Sequence, residues 1–250
     1  MSEWDQTVDL ISVGSGGGGL TAAIAGSDAG LSTLVVEKMP HVGGSTSMSG
    51  GVLWVPNNPL MREDGVKDSF ENGMAYFDSV IGDVGPYSSR ARRETYIRLG
   101  SEVIDVLRAK GVRFIRAEGY SDYYSSLEGG VDRGRSVECR PFDARQIPDY
   151  ADRMLPGIAS MIGMTVYTNE LRSVQYVNRS LRAFVVAMRI GMRTVWGKVR
   201  RKRLLTNGSA LIANLVQIAQ RQQIPIWLET PVKELVVEGG RVVGIVAIKD

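Results

Sequence analysis

The chain has 250 residues and is poor in the side chains that most often mark a site. It contains one cysteine, Cys139, and one histidine, His41. A single thiol cannot build an internal disulfide framework, and it fits a reducing compartment. Packing is the simpler role for Cys139, as a partly buried bystander. One imidazole leaves no partner for a zinc site, so no metal is expected. A Ser–His–Asp triad is equally unsupported, because His41 sits in a glycine-flanked loop. No apolar run approaches the ~20 residues that cross a bilayer. Acids at Glu3 and Asp5 occupy the place where a secretory signal carries bases. Together these features predict a cytoplasmic protein. Acids are also missing locally: residues 171–228 contain none, against 11 Arg and Lys, while the formal net charge of the chain is only +3.

Glycine, by contrast, is plentiful, with 29 residues, and its placement carries the argument. Val8 to Val13 reads as a short buried strand. It runs into GSGGGG, where Gly14, Gly16 and Gly19 fall in the G-x-G-x-x-G register, followed by Ser15 within the turn. A helical stretch from Leu20 to Ala29 and a second strand, Leu34 to Val36, lead to Glu37. Strand, glycine turn, helix, strand and acid form the layout that grips the adenosine diphosphate half of a dinucleotide. Gly14 permits the sharp turn, Gly16 lets backbone approach a pyrophosphate, and Gly19 lets helix pack on strand. The helix N-terminus then offers N–H groups and partial positive charge. The Glu37 carboxylate stands where ribose hydroxyls can donate to it.

Residues 43–58 read GGSTSMSGGVLWVPNN. Gly43 and Gly44 form a second close-approach loop, with hydroxyls at Ser45, Thr46 and Ser49. A nicotinamide site has no need of such a loop, whereas a flavin ring extending past the pyrophosphate does. The cofactor is therefore read as FAD.

GSGGGG, VVEK, GGST, SGG and W-x-P-N-N together resemble the 3-ketosteroid Δ1-dehydrogenases of the fumarate reductase and succinate dehydrogenase flavoprotein superfamily. Trp54, Pro56 and Asn57 point to the steroid branch, as do GYSDYYSSLEGG at 119–130 and the GRSVECRPFDAR that follows. The resemblance implies FAD contacts from Gly14, Ser15, Gly16, Gly19, Glu37, Lys38, Gly43, Gly44, Ser45, Thr46, Ser49, Gly50 and Gly51. It also implies that Tyr123 lines the active site and supports a second tyrosine, which removes a proton from C2 while a hydride leaves C1 for the flavin. From the residues alone, Tyr120, Tyr123 and Tyr124 could equally be an aromatic surface loop. The chemistry favours tyrosine, because a phenolic base needs a neighbouring hydroxyl to stabilise its anion.

The expected fold class is α/β. A Rossmann-like FAD-binding domain, three layers around a parallel sheet, carries a β-hairpin or meander and a mostly helical insertion. The division is 1–60 and 205–250 for the FAD-binding domain, with 61–204 as the insertion over a cleft. Apolar periodicity predicts helices over 69–81, 88–108, parts of 178–200 and 210–220. Strands are predicted over 112–115 and 224–229, and a Gly239-Gly240 hairpin over 232–248. Residues 125–160 read as long loops. The family pattern is about twice as long, so the chain reads as an N-terminal fragment, incomplete at its C-terminus, with a complementing C-terminal chain as a possible partner.

Two functions remain open on these grounds. One is a flavin-dependent dehydrogenase taking a lipophilic, steroid-like substrate or another ring ketone or enoate. The other is a non-catalytic remnant. A further partner is suggested by the apolar stripe of Leu181, Phe184, Val185, Met188, Met192, Val195, Trp196 and Val199, bordered by Arg182, Arg189, Arg193 and the bases at 200–203. A basic amphipathic helix suits a membrane surface, giving a membrane-peripheral location, although a packing helix with a solvated basic face explains it too. No nucleic-acid motif accompanies the charge, and none is expected to bind.

Overall fold

The computed structural model describes residues 4–82, 84–132, 134–157 and 163–249. In chain order its first elements are β1 (Leu10–Val13), α1 (Gly17–Asp28), β2 (Thr33–Val36), α2 (Gly44–Met48), β3 (Leu53–Trp54), α3 (Pro59–Glu63), α4 (Phe70–Val80), α5 (Arg90–Ala109) and β4 (Phe114–Arg116). There follow β5 (Ser136–Cys139), β6 (Phe142–Asp143), α6 (Pro148–Ala151), α7 (Thr168–Val174), α8 (Leu181–Val199), β7 (Leu204–Leu205), α9 (Asn207–Arg221), β8 (Ile226–Trp227), β9 (Val232–Glu238) and β10 (Arg241–Ala247). The chain forms two compact units. One comprises Met1–Gly51, Pro141–Thr165 and Gly191–Asp250, the other Val52–Arg140 and Val166–Ile190.

The first unit is built on a parallel sheet of order β1-β2-β8. Every residue of β2 is buried, as expected of a central strand covered on both faces. In α1, Leu20, Ala23, Ile24 and Gly26 are buried. In α9 the burial is nearly complete, from Asn207 through Val216 and again at Ile218 and Ala219, and this helix packs against both α1 and α2. The core of this unit is therefore made by a segment 150 residues or more away from the turn it supports. The hairpin β9–β10 pairs antiparallel with a register shift at Val242/Gly244, and the Trp4 ring fills the space that a side chain at position 244 would need.

The second unit holds an antiparallel sheet of order β3-β5-β4 and the long helices α4 and α5. Ser69 caps α4 by accepting from the Asn72 N–H. Gly111 lies at φ +97°, just past the C-cap of α5 at Lys110.

Two expectations are revised. Residues 125–160 were predicted to be loop, yet β5 is the central, wholly buried strand of its sheet, and β6 follows it. The Gly, Pro, Asp and Arg content of 125–160 masked the four-residue SVEC strand, which carries the charged Glu138. The charge is accommodated because Glu138 accepts from the backbone N–H groups of Thr168 and Asn169, and Arg135, at the strand's start, is paired. Residues 158–160 of that stretch lie outside the described ones. The insertion predicted over 61–204 is also cut differently. Residues 141–165 pack with the first unit, where β6 pairs with β7 and Val42 bridges Met154. Cys139 is fully rather than partly buried, and burial pushes its thiol pKa up, away from thiolate reactivity.

Candidate active site

The turn between β1 and α1 is held from beneath by one carboxylate. Glu37, at the end of β2, accepts from Ser15 N (2.9 Å) and Ser15 Oγ (2.7 Å) through Oε2, and from Met39 N (3.0 Å) through Oε1. The Ser15 hydroxyl in turn accepts from Gly43 N at 3.1 Å, and Thr46 Oγ1 accepts from Gly17 N at 3.1 Å. The two glycine loops, 28 and 29 residues apart in sequence, are thus bonded directly to one another. Burial alone would raise the Glu37 carboxyl. The donors of Ser15, and then the N–H groups of Met39 and Lys38, outweigh it and hold the group below the ordinary carboxylate range.

That depression has a sign. A carboxyl lowered by folding stabilises the protein above its unfolded-state value, near pH ~4.3 for Glu, and this stabilisation is lost as pH falls through the lowered value. Glu37→Gln removes the charge and gives Ser15 N a poorer acceptor. The variant is expected to unfold more readily than the parent at pH 7, with the gap narrowing as pH drops below ~4. Urea unfolding at the two pH values checks this.

Helix packing explains Gly19. A Cβ there would lie 2.0 Å from Gly14 O and 3.0 Å from Ser12 Oγ. The outer side of the same turn is open: a Cβ on Gly16 would meet nothing closer than 3.8 Å. No side chain caps α1, and its first turn holds no acid. A surface of bare main-chain amides at a helix N-terminus fits a diphosphate, so these residues suit the cofactor that the motifs imply.

The second loop is pinned by α9, which sequence reasoning did not connect to it. Gly208 N donates to Ser49 O (3.0 Å), and a Cβ on Gly208 would lie 1.8 Å from Thr46 O. Ser209 Oγ donates to Ser47 O, and Ser49 Oγ donates to Thr46 O while accepting from Gly51 N. The structure therefore brings the Gly14–Gly19 turn, Glu37, Gly43, Gly44 and Thr46 together in the first unit, with Ser49 and Gly51 held at the far end of the second loop. Lys38, Ser45 and Gly50 are exposed. The NGSAL start of α9 carried a detectable signal, a glycine-serine pair opening a strongly apolar helix, but nothing local named its partner.

In the second unit, Trp54, Tyr76, Phe77, Val80, Tyr120 and Tyr124 line an apolar cavity of about 440 Å³. Tyr123 belongs to the same wall, and its side chain is 92% exposed. Beneath the wall lies Arg135, fully buried and paired with Asp68 and Asp122.

Residues 9–250 match the family described as FAD binding domain. The chain is 40% identical over 242 residues to a 3-oxosteroid 1-dehydrogenase of Mycolicibacterium smegmatis, covering 96% of this chain and 42% of that protein. It is 30% identical over 251 residues to a 4-oxocyclohexanecarboxylate 2-dehydrogenase of Sinomonas cyclohexanicum, covering 96% of this chain and 40% of that one. Its fold matches the crystal structure of the 3-ketosteroid Δ1-dehydrogenase of Sterolibacterium denitrificans in complex with 1,4-androstadiene-3,17-dione. There the TM-score is 0.82 at 29% identity, over 97% of this chain and 44% of that one. The chain thus spans about two fifths of the length of these relatives. With the match running across residues 9–250 and its two glycine loops bonded to one another, this chain belongs to the FAD-binding domain family, and its cofactor is FAD.

Proposed function

We propose that the chain supplies the FAD-binding part of a dehydrogenase that introduces the 1,2 double bond into 3-ketosteroids. The observation that carries this reading is the lock from Glu37 through Ser15 to Gly43, which ties a diphosphate turn to a second loop of the kind a flavin requires. When bound, FAD would accept the hydride leaving C1. The Gly14–Gly19 turn holds the diphosphate, Glu37 holds that turn and faces the ribose, and the 43–46 and 49–51 loops hold the flavin end. Lys38 and Ser45 add polar groups at the rim. The Tyr123 hydroxyl donates toward the base that takes the C2 proton. An apolar, aromatic-walled cavity in the size range of small-molecule sites suits a steroid body. The further length seen in the relatives would be contributed by a C-terminal segment or complementing chain.

A second reading, another ring ketone as substrate, is favoured by the similarity to the 4-oxocyclohexanecarboxylate enzyme. The two separate in one experiment. FAD-loaded protein, completed by its C-terminal segment or complementing chain, is mixed anaerobically with 4-androstene-3,17-dione or with 4-oxocyclohexanecarboxylate, and flavin absorbance and products are followed. Bleaching with the steroid, with 1,4-androstadiene-3,17-dione formed, is the expected result. Bleaching with the carboxylate alone favours the second reading. No bleaching with either marks a non-catalytic chain.

The outward face of α8 supports peripheral contact with an anionic bilayer. Leu181, Phe184, Val185, Met188, Met192, Val195, Trp196 and Val199 are all exposed, and these positions form one stripe at helical spacing. Arg182, Arg189 and Arg200 fall along one flank, whereas Arg193 is turned inward and donates to Thr165 O. Arg200 lies over the Trp196 ring, 4.5 Å from its centroid. No helix among the described residues is long and apolar enough to cross a membrane, so the contact would lie in the interface. Co-sedimentation with phosphatidylserine vesicles is expected at low salt and should weaken as salt screens the bases. Failure to pellet at low salt removes the proposal.

A further inference from the structure

The 120–124 loop is tied down by a buried charge. Arg135 is 0% exposed, and its guanidinium forks onto Asp68, with Nε to Oδ2 and Nη2 to Oδ1 both at 2.8 Å. Its remaining arm, Nη1, donates to Asp122 Oδ2 at 3.0 Å. The Trp54 and Tyr76 rings lie against the guanidinium, 5.6 and 5.5 Å from its carbon. Asp122 is itself saturated: its Oδ1 accepts from Trp54 Nε1 at 2.7 Å, and its Oδ2 accepts also from Val131 N at 3.1 Å. The next residue is Tyr123, and Tyr124 N donates to the Tyr76 hydroxyl at 3.2 Å. One side chain therefore joins the floor of the aromatic cavity to the backbone that presents Tyr123.

Two carboxylates on one guanidinium leave a buried excess of negative charge. Fold stability needs only the bidentate Arg135–Asp68 pair, which satisfies the cation geometrically. A second buried carboxylate adds desolvation cost. Its return is geometric: a carboxylate with acceptors on both oxygens can hold the indole N–H on one side and the guanidinium with the Val131 N–H on the other.

We propose that Asp122, oriented by Arg135, is a positioning residue that fixes the 120–124 loop and so sets where the Tyr123 hydroxyl is presented over the cavity. The loop anchor stands on the geometry alone, and its consequence for a ligand rests on the steroid reading given above. Asp122→Asn is the discriminating change. An amide accepts through its oxygen only, so it faces either Trp54 or Arg135 with its own N–H groups and must release one of them. The Arg135–Asp68 pair stays intact.

The test uses the full 250-residue chain loaded with FAD. Hydrogen exchange is measured by peptide in the parent, in Asp122→Asn and in Tyr123→Phe, and the affinity for 1,4-androstadiene-3,17-dione is measured by fluorescence. Asp122→Asn is expected to speed exchange across 120–131 while β5 stays protected and FAD affinity is unchanged. Steroid affinity should fall about tenfold, the equivalent of a lost contact of ordinary strength. Tyr123→Phe should leave loop exchange as in the parent. Exchange in Asp122→Asn equal to the parent's overturns the proposal. So does loss of protection across β5 as well, which would make Asp122 a general element of the fold. If the parent chain binds no steroid, the substrate reading falls and the exchange result alone decides the anchor.

Discussion

Replacing Gly19 by alanine is expected to lower FAD affinity at least about 100-fold, a cost of ~2.7 kcal/mol. The reason is distance. The added methyl would sit 2.0 Å from Gly14 O, well inside van der Waals contact, and 3.0 Å from Ser12 Oγ. Neither neighbour is a flexible tip. Gly14 O belongs to the turn itself, and Ser12 is nearly buried and donates to Gly19 O at 2.9 Å. Relief requires α1 to move away from β1, which pulls the helix N-terminus off the diphosphate position and strains the Ser15–Glu37 lock. Overpacking of this kind costs about 1–3 kcal/mol in stability by itself, so the variant should still fold while binding weakly. Gly18→Ala is the matched control, because a Cβ there meets nothing within 4 Å. It should fold like the parent. Equal FAD affinity in Gly19→Ala and the parent would show that the turn does not hold the diphosphate.

Arg135→Met should be the most destabilising single change in the second unit. It leaves Asp68 and Asp122 buried with no cation. Removing one partner of a buried pair costs about 3–5 kcal/mol, a large part of the ~5–15 kcal/mol that holds a typical domain together. The pH dependence should also reverse. In the parent, burial pushes the Asp68 carboxyl up, but the Arg135 fork, the Asn72 side chain and the Asn57 N–H more than offset it and lower it overall. Its contribution is present above the ordinary Asp value near ~3.9 and lost as pH falls. Without Arg135, burial raises the Asp68 carboxyl instead. The variant should then be relatively more stable at low pH and lose stability as pH rises through that raised Asp68 value. Urea unfolding at pH 7 and pH 5 reads both signs. A loss below ~1 kcal/mol at pH 7, in the range of an exposed pair, would contradict the burial argument.

The part of the fold that is local in sequence was legible from sequence. β1, the glycine turn, α1 and β2 follow one another within 27 residues, and each announces itself by apolar periodicity or by a glycine. The hairpin at 232–248 was legible for the same reason, through Gly239-Gly240. What escaped is long-range. The approach of Gly208 to Thr46 spans the whole second unit in sequence, and nothing in NGSAL says which loop it will press on. Arg135 and Asp68 are 67 residues apart, so neither charge could be read as buried from its neighbours. β5 was missed because it is four residues inside a stretch rich in Gly, Pro, Asp and Arg, and its Glu138 is satisfied by Thr168 and Asn169, 30 and 31 residues away. The expected ribose acceptor Glu37 was placed correctly at the end of β2, but its hydrogen bonds to Ser15 and Met39 could not be read from the spacing that identified it.

The central claim is that the two glycine loops hold FAD. Its most direct measurement is the visible spectrum of the purified 250-residue chain titrated with FAD and then freed of excess by gel filtration, with Gly19→Ala alongside. Visible flavin absorbance is expected to co-elute with the parent chain and to be largely lost from the variant. A folded parent chain that elutes colourless, or equal colour in both proteins, would contradict it.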